Sequence, residues 1–542
     1  MTVAIHDLVP HRLRRVWAAD GACPDLDLYS LFRAQRCMDP HRTALLDAKG
    51  KVCYTQLDRL VRRLAAGLAD AGIRPGDVVG VQLPNCREAV IADLAIAALG
   101  AVALPFPAGR GTREAESLLR RAEAVAVLAA IDFRGRTHAA DLSELLDRLP
   151  ALRFVAAVGK QPVPDRCLSW AELLRADGDT FVPARPDPDT AARILVSSGS
   201  EAEPKMVAYS HNALAGGRGN FMASLLADGE SPRNLFLVPL ASAFGSNGTA
   251  VTLARHGGTL ILLDHFTPEA ALAAIEHHRP THVLGVPTMV RMMLEHNVSA
   301  TDTASLRALV LGGSPLDRAT AEEAERAFGC AVVNLYGSAD GVNCHTDLGE
   351  TDTAAAGPGL LVGRPDPRVA EIRISDVGTG AIVAVGETGE IVARGPMTPL
   401  CYVGDPELDA RYRTEDGWVR TGDLGVLDPD GRLHVVGRIK DIVIRGGANI
   451  SVAEVEQVLA GHPDIRDVVC VGVPHGILGE RLAACVVPRP GGAPDLDSLC
   501  SHLLDQGLER AKHPESLLLL DALPLTPAGK PDRAAIRHRL AN

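Results

Sequence analysis

The chain has 542 residues, too many for one hydrophobic core, so several domains or subdomains are expected. Hydrophobic residues make up 46% and aromatic residues only 4%, which favours aliphatic α/β layers. The formal net charge is −12, from 55 Lys and Arg against 67 Asp and Glu, and no basic block stands out, which argues against a nucleic-acid partner.

Cysteine usage and the first residues indicate a cytoplasmic protein. The eleven cysteines form no C-x-x-C pair and no histidine cluster has ligand spacing, so we expect reduced thiols and no zinc. The N-terminal run MTVAIHDLVPHRLRRVW is amphipathic and lacks the apolar core of a signal peptide. The longest apolar run, residues 89–107, contains Asp93 and Gly100, and it predicts a buried helix followed by a strand rather than a membrane span.

The first 110 residues predict a β-α-β unit. Thr55 and Asp58 have the spacing of a capping box, and they open a helix that Gly72 ends. A strand at 78–83, a helix from about Arg87 to Leu99 and a strand at 101–106 follow, so a parallel, doubly wound sheet is expected. Further strand candidates lie at 124–130, 154–158, 235–240, 260–263 and 282–287.

From about residue 371 the pattern changes to short strands separated by glycines. The candidates lie at 371–376, 381–386, 390–395 and 434–437, and they predict a smaller β-rich piece. A helix at 452–462 and strands at 468–473 and 482–488 then predict a compact α+β tail.

A hydroxyl-rich loop follows the strand candidate that ends at Val196. It reads Ser197-Ser198-Gly199-Ser200-Glu201-Ala202-Glu203-Pro204-Lys205. Three hydroxyls, a glycine and a lysine after a strand can hold a polyphosphate through backbone N–H groups and charge. It is not a Walker A loop, because no glycine precedes Lys205 and no Ser or Thr follows it. A plain solvent-exposed loop is the alternative.

Two more loops are predicted at strand ends, where α/β sheets bind their ligands. They are Gly312-Gly313-Ser314-Pro315 and Asn334-Leu335-Tyr336-Gly337-Ser338-Ala339-Asp340. Small residues in the first loop allow backbone to approach an adenine, and Tyr336 can stack on its other face. A simple turn and a core tyrosine are the structural alternatives.

The hairpin signal Asp428-Pro429-Asp430-Gly431 brings two charged residues together. It lies between an extended run that contains Asp423 and a returning strand that ends near Arg438. A carboxylate and a guanidinium at one edge suit a ligand with hydroxyls, such as a ribose. An ordinary surface salt bridge is the alternative.

These segments, in this order, resemble the adenylate-forming enzymes, which include acyl-CoA synthetases, adenylation domains of peptide synthetases and luciferases. The resemblance implies that Asp423 and Arg438 grip the ribose of ATP and that Asp340 ligates Mg²⁺. It assigns the phosphates to Ser197, Ser198, Gly199, Ser200 and Lys205, and the adenine to Gly313, Ser314, Pro315, Asn334, Tyr336, Gly337 and Ser338. Asn334 is expected to bind the adenine amino group.

Five positions in the phosphate loop and in the segment from Tyr336 to Asp340 depart from the family pattern. In the phosphate loop, Glu201 replaces a hydroxyl residue, and Ala202 and Met206 replace glycines. Two acidic residues beside a triphosphate are electrostatically unfavourable unless they point away or meet magnesium. In the segment from Tyr336 to Asp340, Ala339 and Asp340 replace Thr and Glu, and the shorter carboxylate suggests that magnesium binds through water.

The C-terminal motifs complete the resemblance. Pro524 to Lys530 matches the segment whose lysine reaches into the cleft, so Lys530 is the first candidate for the catalytic residue, although a lysine in such a turn is usually solvated. Lys440 matches the hinge. Gly446 and Gly447 match the segment that lines the pantetheine channel of acyl-CoA synthetases; the structural alternative is a tight turn into a helix capped by Ser451.

The acid pocket is where the resemblance is weakest. Residues 238–245 align with the family segment that walls the carboxylate site, but Ser242 replaces its histidine. With Ser242 and Ala243 the contact that holds a ring hydroxyl is missing, which argues against a 2-hydroxybenzoate substrate. Ser242, Phe244, Gly245 and Gly312 are the candidate pocket residues, and the small side chains suggest a roomy apolar pocket.

The resemblance implies an α/β fold with a large N-terminal domain, residues 1–437, made of two doubly wound sheets and a β-rich subdomain. A small mobile α+β domain, residues 438–542, follows. The expected reaction joins a bulky alicyclic, aromatic or polyketide-like carboxylic acid to coenzyme A, with ATP and Mg²⁺ and without a membrane or nucleic-acid partner. Two alternatives remain: a free-standing adenylating enzyme that loads the phosphopantetheine of a carrier protein or hands its acyl-adenylate to a partner, and a non-catalytic adenylate binder.

Overall fold

The computed structural model describes residues 5–160, 162–197, 204–349, 360–439, 442–445, 448–475, 479–506, 508, 510–526 and 531–541. Within them, no helix has both the length and the apolar character that crossing a bilayer requires.

Strands and helices alternate through the first two thirds of the chain. The elements up to the phosphate loop are α1 (His11–Ala19), α2 (Leu28–Met38), β1 (Thr43–Asp47), β2 (Gly50–Cys53), α3 (Tyr54–Asp70), β3 (Val78–Gln82), α4 (Arg87–Ala98), β4 (Val102–Pro105), α5 (Thr112–Arg121), β5 (Ala126–Ala130), α6 (His138–Ser143), β6 (Phe154–Val158), β7 (Cys167–Ser169), α7 (Trp170–Leu173) and β8 (Ala191–Val196). Those after it are β9 (Met206–Ser210), α8 (Arg218–Ala223), β10 (Arg233–Phe236), β11 (Thr259–Leu262), α9 (Pro268–His278), β12 (His282–Gly285), α10 (Pro287–Leu294), β13 (Ala308–Gly312), α11 (Arg318–Phe328), β14 (Ala331–Ser338) and β15 (Val342–His345).

The last third is richer in strands. Its elements are β16 (Leu360–Leu361), β17 (Glu371–Ser375), β18 (Gly389–Arg394), β19 (Cys401–Tyr402), α12 (Pro406–Tyr412), β20 (Val419–Leu427), β21 (Leu433–Arg438), β22 (Ile442–Arg445), β23 (Ala448–Ser451), α13 (Val452–Leu459), β24 (Ile465–His475), β25 (Gly479–Pro488), α14 (Leu496–Asp505), β26 (Ser516–Leu519) and α15 (Arg533–Ala541).

Two mostly parallel sheets and one antiparallel sheet form the N-terminal domain. The first sheet has the order β7-β6-β5-β3-β4-β8-β9-β19, with β9 and β19 antiparallel to their neighbours. The second sheet has the order β2-β1-β11-β10-β12-β13-β14-β15, with antiparallel pairs at both ends. The third sheet, β16-β21-β20-β18-β17, is antiparallel. The α/β fold expected from the sequence is therefore confirmed.

The C-terminal domain has a hydrophobic core of its own. Strands β22 to β26 form a fourth sheet. Its buried residues, from Val443 to Ile536, form clusters separate from those of the N-terminal sheets. Ser451 caps α13 by accepting a hydrogen bond from the Glu454 amide at 3.3 Å, as its place before the helix predicts.

Helix α4 lies between the layers of the N-terminal domain. Its apolar residues leave no polar face, so the helix is buried on nearly all sides. It packs against α2, α3 and the π-helical segment Gly248–Arg255. The predicted β-α-β unit, β3-α4-β4, is thereby confirmed, with β3 and β4 parallel.

Three local predictions were wrong. Helix α3 begins one residue before Thr55, and its cap is the Gln56 side chain, which accepts from the Cys53 amide at 2.9 Å. Residues 381–386 form no strand beyond one isolated bridge at Ile382. Residues 334–338 belong to β14 rather than to a loop, because the strand continues past its parallel partner and pairs with β15.

Asp58 is buried by long-range partners instead of capping α3. The Tyr29 hydroxyl donates to Asp58 Oδ1 at 2.8 Å, and Arg36 Nη1 donates to Oδ2 at 2.7 Å. Only 2% of the Asp58 side chain is exposed. The carboxylate therefore ties α2 to α3.

We expect Asp58→Ala to lower the free energy of unfolding by about 3 kcal/mol, because it leaves Arg36 and the Tyr29 hydroxyl without their buried partner. Calorimetry of the N-terminal transition measures this change. Asp147→Ala removes an exposed partner of Arg166 and is the matched control, for which no shift of the transition is expected. Equal effects of the two substitutions would contradict the assignment.

Candidate functional site

The hairpin of β20 and β21 places Asp423 directly opposite Arg438. Arg438 Nε lies 3.0 Å from Asp423 Oδ1, and the Tyr336 hydroxyl donates to Oδ2 at 2.7 Å. The Asp423 side chain is 7% exposed, whereas that of Arg438 is 54% exposed. The predicted pair is therefore present, with a third member on β14 that the hairpin pattern did not indicate.

Burial decides the protonation behaviour of this group. It raises the pKa of the Asp423 carboxyl above its ordinary value of 3.8, although the charge of Arg438 opposes the rise. Burial, reinforced by Asp423, also holds the pKa of the Tyr336 hydroxyl well above its ordinary value. Tyr336 therefore stays protonated and remains a donor to Asp423.

A second buried carboxylate, Asp340, lies just beyond the end of β14. Its Oδ1 accepts from the Tyr402 hydroxyl at 2.7 Å, and its Oδ2 accepts from the Ser338 hydroxyl at 2.7 Å. Lys205 Nζ is 3.5 Å from Oδ1. The charge of Asp340 contributes to raising the pKa of Asp423, so the two carboxylates share one electrostatic environment.

Lys205 is held by two aromatic rings as well as by Asp340. Its Nζ lies 3.9 Å from the centroid of the Tyr412 ring and 5.4 Å from that of Tyr402. A cation is stabilised over such faces because of the ring quadrupole. In this arrangement the lysine predicted to bind phosphate neutralises Asp340, the residue predicted to bind the metal.

Sequence reasoning did not single out Tyr402 or Tyr412. Tyr402 reaches Asp340 because β19 pairs with β9, which lies almost two hundred residues earlier in the chain. A two-residue strand has too few positions to show a periodic pattern, so no local signal could have identified it.

The base of the phosphate loop is closed by Ser197 and Lys205. The Ser197 amide donates to the Lys205 carbonyl at 2.9 Å, and the Lys205 amide donates to Ser197 Oγ at 3.0 Å. Met206, which replaces a glycine of the family pattern, begins β9 and packs into the core of the first sheet. Ser198, Gly199, Ser200 and the acidic Glu201 lie outside the described residues.

The predicted adenine-binding residues lie at the ends of β13 and on β14. Gly313 has a φ of +84°, and a side chain at Gly312 would meet the Leu335 carbonyl at 2.8 Å, so both positions favour glycine. Ser314 is half-buried and Pro315 is exposed. Gly337 is exposed, one position before Ser338.

Asn334 has a structural partner. Its side-chain amide donates to the Leu361 carbonyl at 2.7 Å and joins β14 to β16. The amide oxygen, the atom that would accept from an adenine amino group, takes no part in this bond. The adenine contact of Asn334 stays a prediction.

The predicted acid-pocket segment folds as a tight turn. The Ser242 hydroxyl donates to the Pro239 carbonyl at 2.7 Å and accepts from the Gly245 amide at 2.9 Å. Gly245 is buried, and a side chain there would collide with the Pro239 carbonyl at 1.9 Å. Phe244 is half-buried. The Ser242 hydroxyl is therefore used within the turn.

Four candidates near the C-terminus cannot be placed. Lys440, Gly446, Gly447 and Lys530 lie outside the described residues. Their neighbours are described: β22 and β23 pair antiparallel, and α15 begins at Arg533. Arg533 fastens that helix to the C-terminal domain through a double hydrogen bond with Glu456, at 2.7 and 2.9 Å.

Comparison with known proteins covers nearly the whole chain. Residues 32–403 match the family described as AMP-binding enzyme, and residues 454–530 match the family described as AMP-binding enzyme C-terminal domain. The chain is 33% identical to the 2-hydroxy-7-methoxy-5-methyl-1-naphthoate–CoA ligase of Streptomyces carzinostaticus, covering 92% of this chain and 90% of that protein. It is 33% identical to the salicyl-AMP ligase / salicyl-S-ArCP synthetase of Mycobacterium tuberculosis, covering 92% and 88%.

A solved structure is also similar along its whole length. The amide bond synthetase McbA from Marinactinospora thermotolerans superposes with a TM-score of 0.83 at 31% sequence identity, covering 95% of this chain and 99% of that one. Together, the fold and these matches define an adenylate-forming enzyme, a class whose members use ATP and Mg²⁺. The chain belongs to the AMP-binding enzyme family.

Asp423→Asn is expected to raise the thermal midpoint at neutral pH, because burial of the charged carboxylate disfavours the folded state there. Above the raised pKa of Asp423 the gain is complete. It decreases as the pH falls through the raised pKa, and it is absent below the ordinary value of 3.8, where the wild-type carboxyl is protonated in both the folded and the unfolded state. Differential scanning calorimetry of both proteins between pH 4 and 8 measures the gain. A lower midpoint of the variant at pH 7.5 would contradict the assignment.

Proposed function

We propose that this chain is an AMP-forming acid–thiol ligase. It activates a bulky alicyclic, aromatic or polyketide-like acid with ATP, releases pyrophosphate, and transfers the acyl group to the thiol of coenzyme A. The observation that supports this best is the arrangement around β14. Tyr336 donates a hydrogen bond to Asp423, and Asp340, four residues after Tyr336, forms an ion pair with Lys205. One ATP molecule is proposed to extend from Asp423 to Asp340.

The groups around Asp340 fit a magnesium ion bound beside the phosphates. Mg²⁺ prefers oxygen ligands and usually takes one or two carboxylates together with phosphate and water oxygens. Asp340 supplies such a carboxylate, and no group of three or more His, Cys, Asp or Glu that could hold a metal occurs in the described ranges. Bound Mg²⁺ would neutralise charge on the phosphates. Lys205 would then turn from Asp340 to a phosphate oxygen.

The first half-reaction forms a mixed anhydride. A carboxylate oxygen of the acid attacks the α-phosphorus of ATP, the bond from that phosphorus to its bridging oxygen breaks, and pyrophosphate leaves. Lys530 is proposed to bind the carboxylate and the α-phosphate, orienting the nucleophile and stabilising the charge that develops on phosphorus. Ser197 and Lys205 close the base of the loop proposed to hold the departing phosphates.

The second half-reaction is proposed to require rotation of residues 438–542 against residues 1–437 about Lys440. Lys530 would leave the cleft, and Gly446 and Gly447 would admit the pantetheine arm. The thiol then attacks the acyl carbonyl, the thiol proton is lost to solvent, and AMP leaves.

A carrier protein is the second candidate acceptor. The relative from Mycobacterium tuberculosis is named for a salicyl-S-ArCP synthetase activity, so loading of a carrier phosphopantetheine is the alternative to coenzyme A. Mass spectrometry of the products formed with coenzyme A, and separately with a phosphopantetheinylated carrier, distinguishes the two. Absence of a CoA thioester would remove the first candidate. Absence of acid-dependent exchange of pyrophosphate into ATP across a broad acid panel would favour a non-catalytic adenylate binder.

Lys530→Ala should reduce acid-dependent pyrophosphate exchange by about 100-fold or more, because it removes the cation proposed to stabilise the transition state. The wild-type rate with the best acid of the panel is the reference. Lys160→Ala, at an exposed lysine remote from these motifs, is the control and should exchange at the wild-type rate. A Lys530→Ala rate within twofold of wild type would remove Lys530 from the mechanism.

Gly447→Leu should spare pyrophosphate exchange but reduce thioester formation by about 100-fold, because a side chain would obstruct the proposed pantetheine channel. Exchange and thioester formation are measured on the same preparation. Equal loss of both activities in a variant that keeps the wild-type thermal transition would indicate a role in adenylation, and it would refute the channel assignment.

A further inference from the structure

Arg218, the first residue of α8, is buried beneath the predicted acid-pocket segment. Only 3% of the residue is exposed. Nη1 donates to the Ala243 carbonyl at 2.9 Å and to Ser246 Oγ at 3.3 Å, and Nη2 donates to the Tyr209 hydroxyl at 3.4 Å. The guanidinium carbon lies 4.9 Å from the centroid of the Tyr209 ring.

This buried charge lacks an anionic partner within the described part of the chain. The other two arginines that are equally buried, Arg14 and Arg193, each meet an aspartate at 2.6 Å. Arg218 forms no such ion pair, and its Nε has no hydrogen-bond acceptor among the described residues. Burying a guanidinium without a carboxylate is costly, so a further anion or strong acceptor, beyond the groups of the described residues, is the physical expectation.

The position of Arg218 indicates where that group would come from. Ala243 lies between Ser242 and Phe244, two of the predicted pocket residues. On the other side, the Tyr209 hydroxyl donates to the Ala339 carbonyl at 2.8 Å, immediately before Asp340. The guanidinium therefore lies between the acid-pocket segment and the strand end that carries Asp340.

Arg218 is separated from the reacting end of the site. The Tyr209 hydroxyl and the Ala339 carbonyl stand between it and Asp340, whose carboxylate faces Lys205 and Tyr402. In the proposed function, the carboxylate that attacks phosphorus lies near Lys205 and Asp340. A group that meets Arg218 therefore belongs to a different part of the same acid.

We propose that Arg218 selects acids that carry a second oxygen, such as a phenolate, a ring carbonyl or a second carboxylate, in addition to the carboxylate that reacts. The inference rests on the proposed function, since it names the substrate class of the same site. Arginine suits this role because its planar fork donates to one or two oxygens at once. The Tyr209 and Ser246 hydroxyls are weak neutral partners that such an oxygen can replace.

The test uses matched acids in the pyrophosphate exchange assay. The aromatic probes are 1-naphthoate and its ring-hydroxylated derivatives. The alicyclic probes are cyclohexanecarboxylate, 4-oxocyclohexanecarboxylate and cyclohexane-1,4-dicarboxylate. For the full-length wild type we expect at least one oxygen-bearing acid to exceed its parent about 100-fold in kcat/KM, because a buried donor left unpaired penalises the parent.

Arg218→Met keeps the length of the side chain and removes the charge and all donors. It should reduce the preference for the oxygen-bearing acid to about threefold or less, mainly through KM, whereas Arg218→Lys should retain part of it. Arg233→Met is the matched control. Arg233 begins β10, at the end of the strand away from the acid-pocket segment, and it donates to the carbonyls of Arg279 and His278. It should preserve the wild-type preference.

The outcomes separate the two proposals. Exchange with no acid at all by the wild type would refute the proposed function. Exchange in which Arg218→Met lowers every acid equally would refute only the selection role, because it would indicate support of the pocket or a contact to the reacting carboxylate. If Arg218→Met does not fold, the wild-type panel and Arg218→Gln decide. A wild type that prefers the parent acids overturns the proposal. A preference for the oxygen-bearing acid that survives in Arg218→Gln also overturns it.

Discussion

Buried carboxylates that need partners hold this site together. Asp423, on the third sheet, is satisfied by Tyr336 of the second sheet and by Arg438 of its own hairpin. Asp340, at the end of the second sheet, is satisfied by Tyr402 and Lys205, which both belong to or adjoin the first sheet. Since an unpaired buried charge is strongly unfavourable, these contacts favour the arrangement in which the three sheets meet.

At these contacts, the requirements of folding stability and of ligand binding oppose each other. Burial favours the protonated form of Asp423, yet the ionised carboxylate is the better hydrogen-bond acceptor for sugar hydroxyls. Lys205 neutralises Asp340, and both are expected to exchange this contact for phosphate and metal when nucleotide binds. Such strain between stability and function is usual where a protein binds charged ligands.

The departures from the family pattern have different structural consequences. Met206 fills the core of the first sheet, so it replaces a glycine without crowding the described base of the phosphate loop. The Ser242 hydroxyl donates its hydrogen bond within a turn. It is therefore not free as a donor at the position where the family has a histidine. The buried Arg218 lies behind that turn and carries the charge that the pocket segment itself lacks.

The sequence alone determined the features that depend on near neighbours. The β3-α4-β4 unit follows from its alternating pattern, and Asp423 meets Arg438 because a short turn folds one strand directly onto the next. Contacts between distant segments were decided only by the tertiary structure. Tyr402 reaches Asp340 through the pairing of β19 with β9, and Asp58, predicted as part of a helix cap, is a buried partner of Tyr29. Arg218 is buried with no carboxylate partner among the described residues. No local periodicity encodes these contacts, because they depend on which elements pack together rather than on the order of residues within one element.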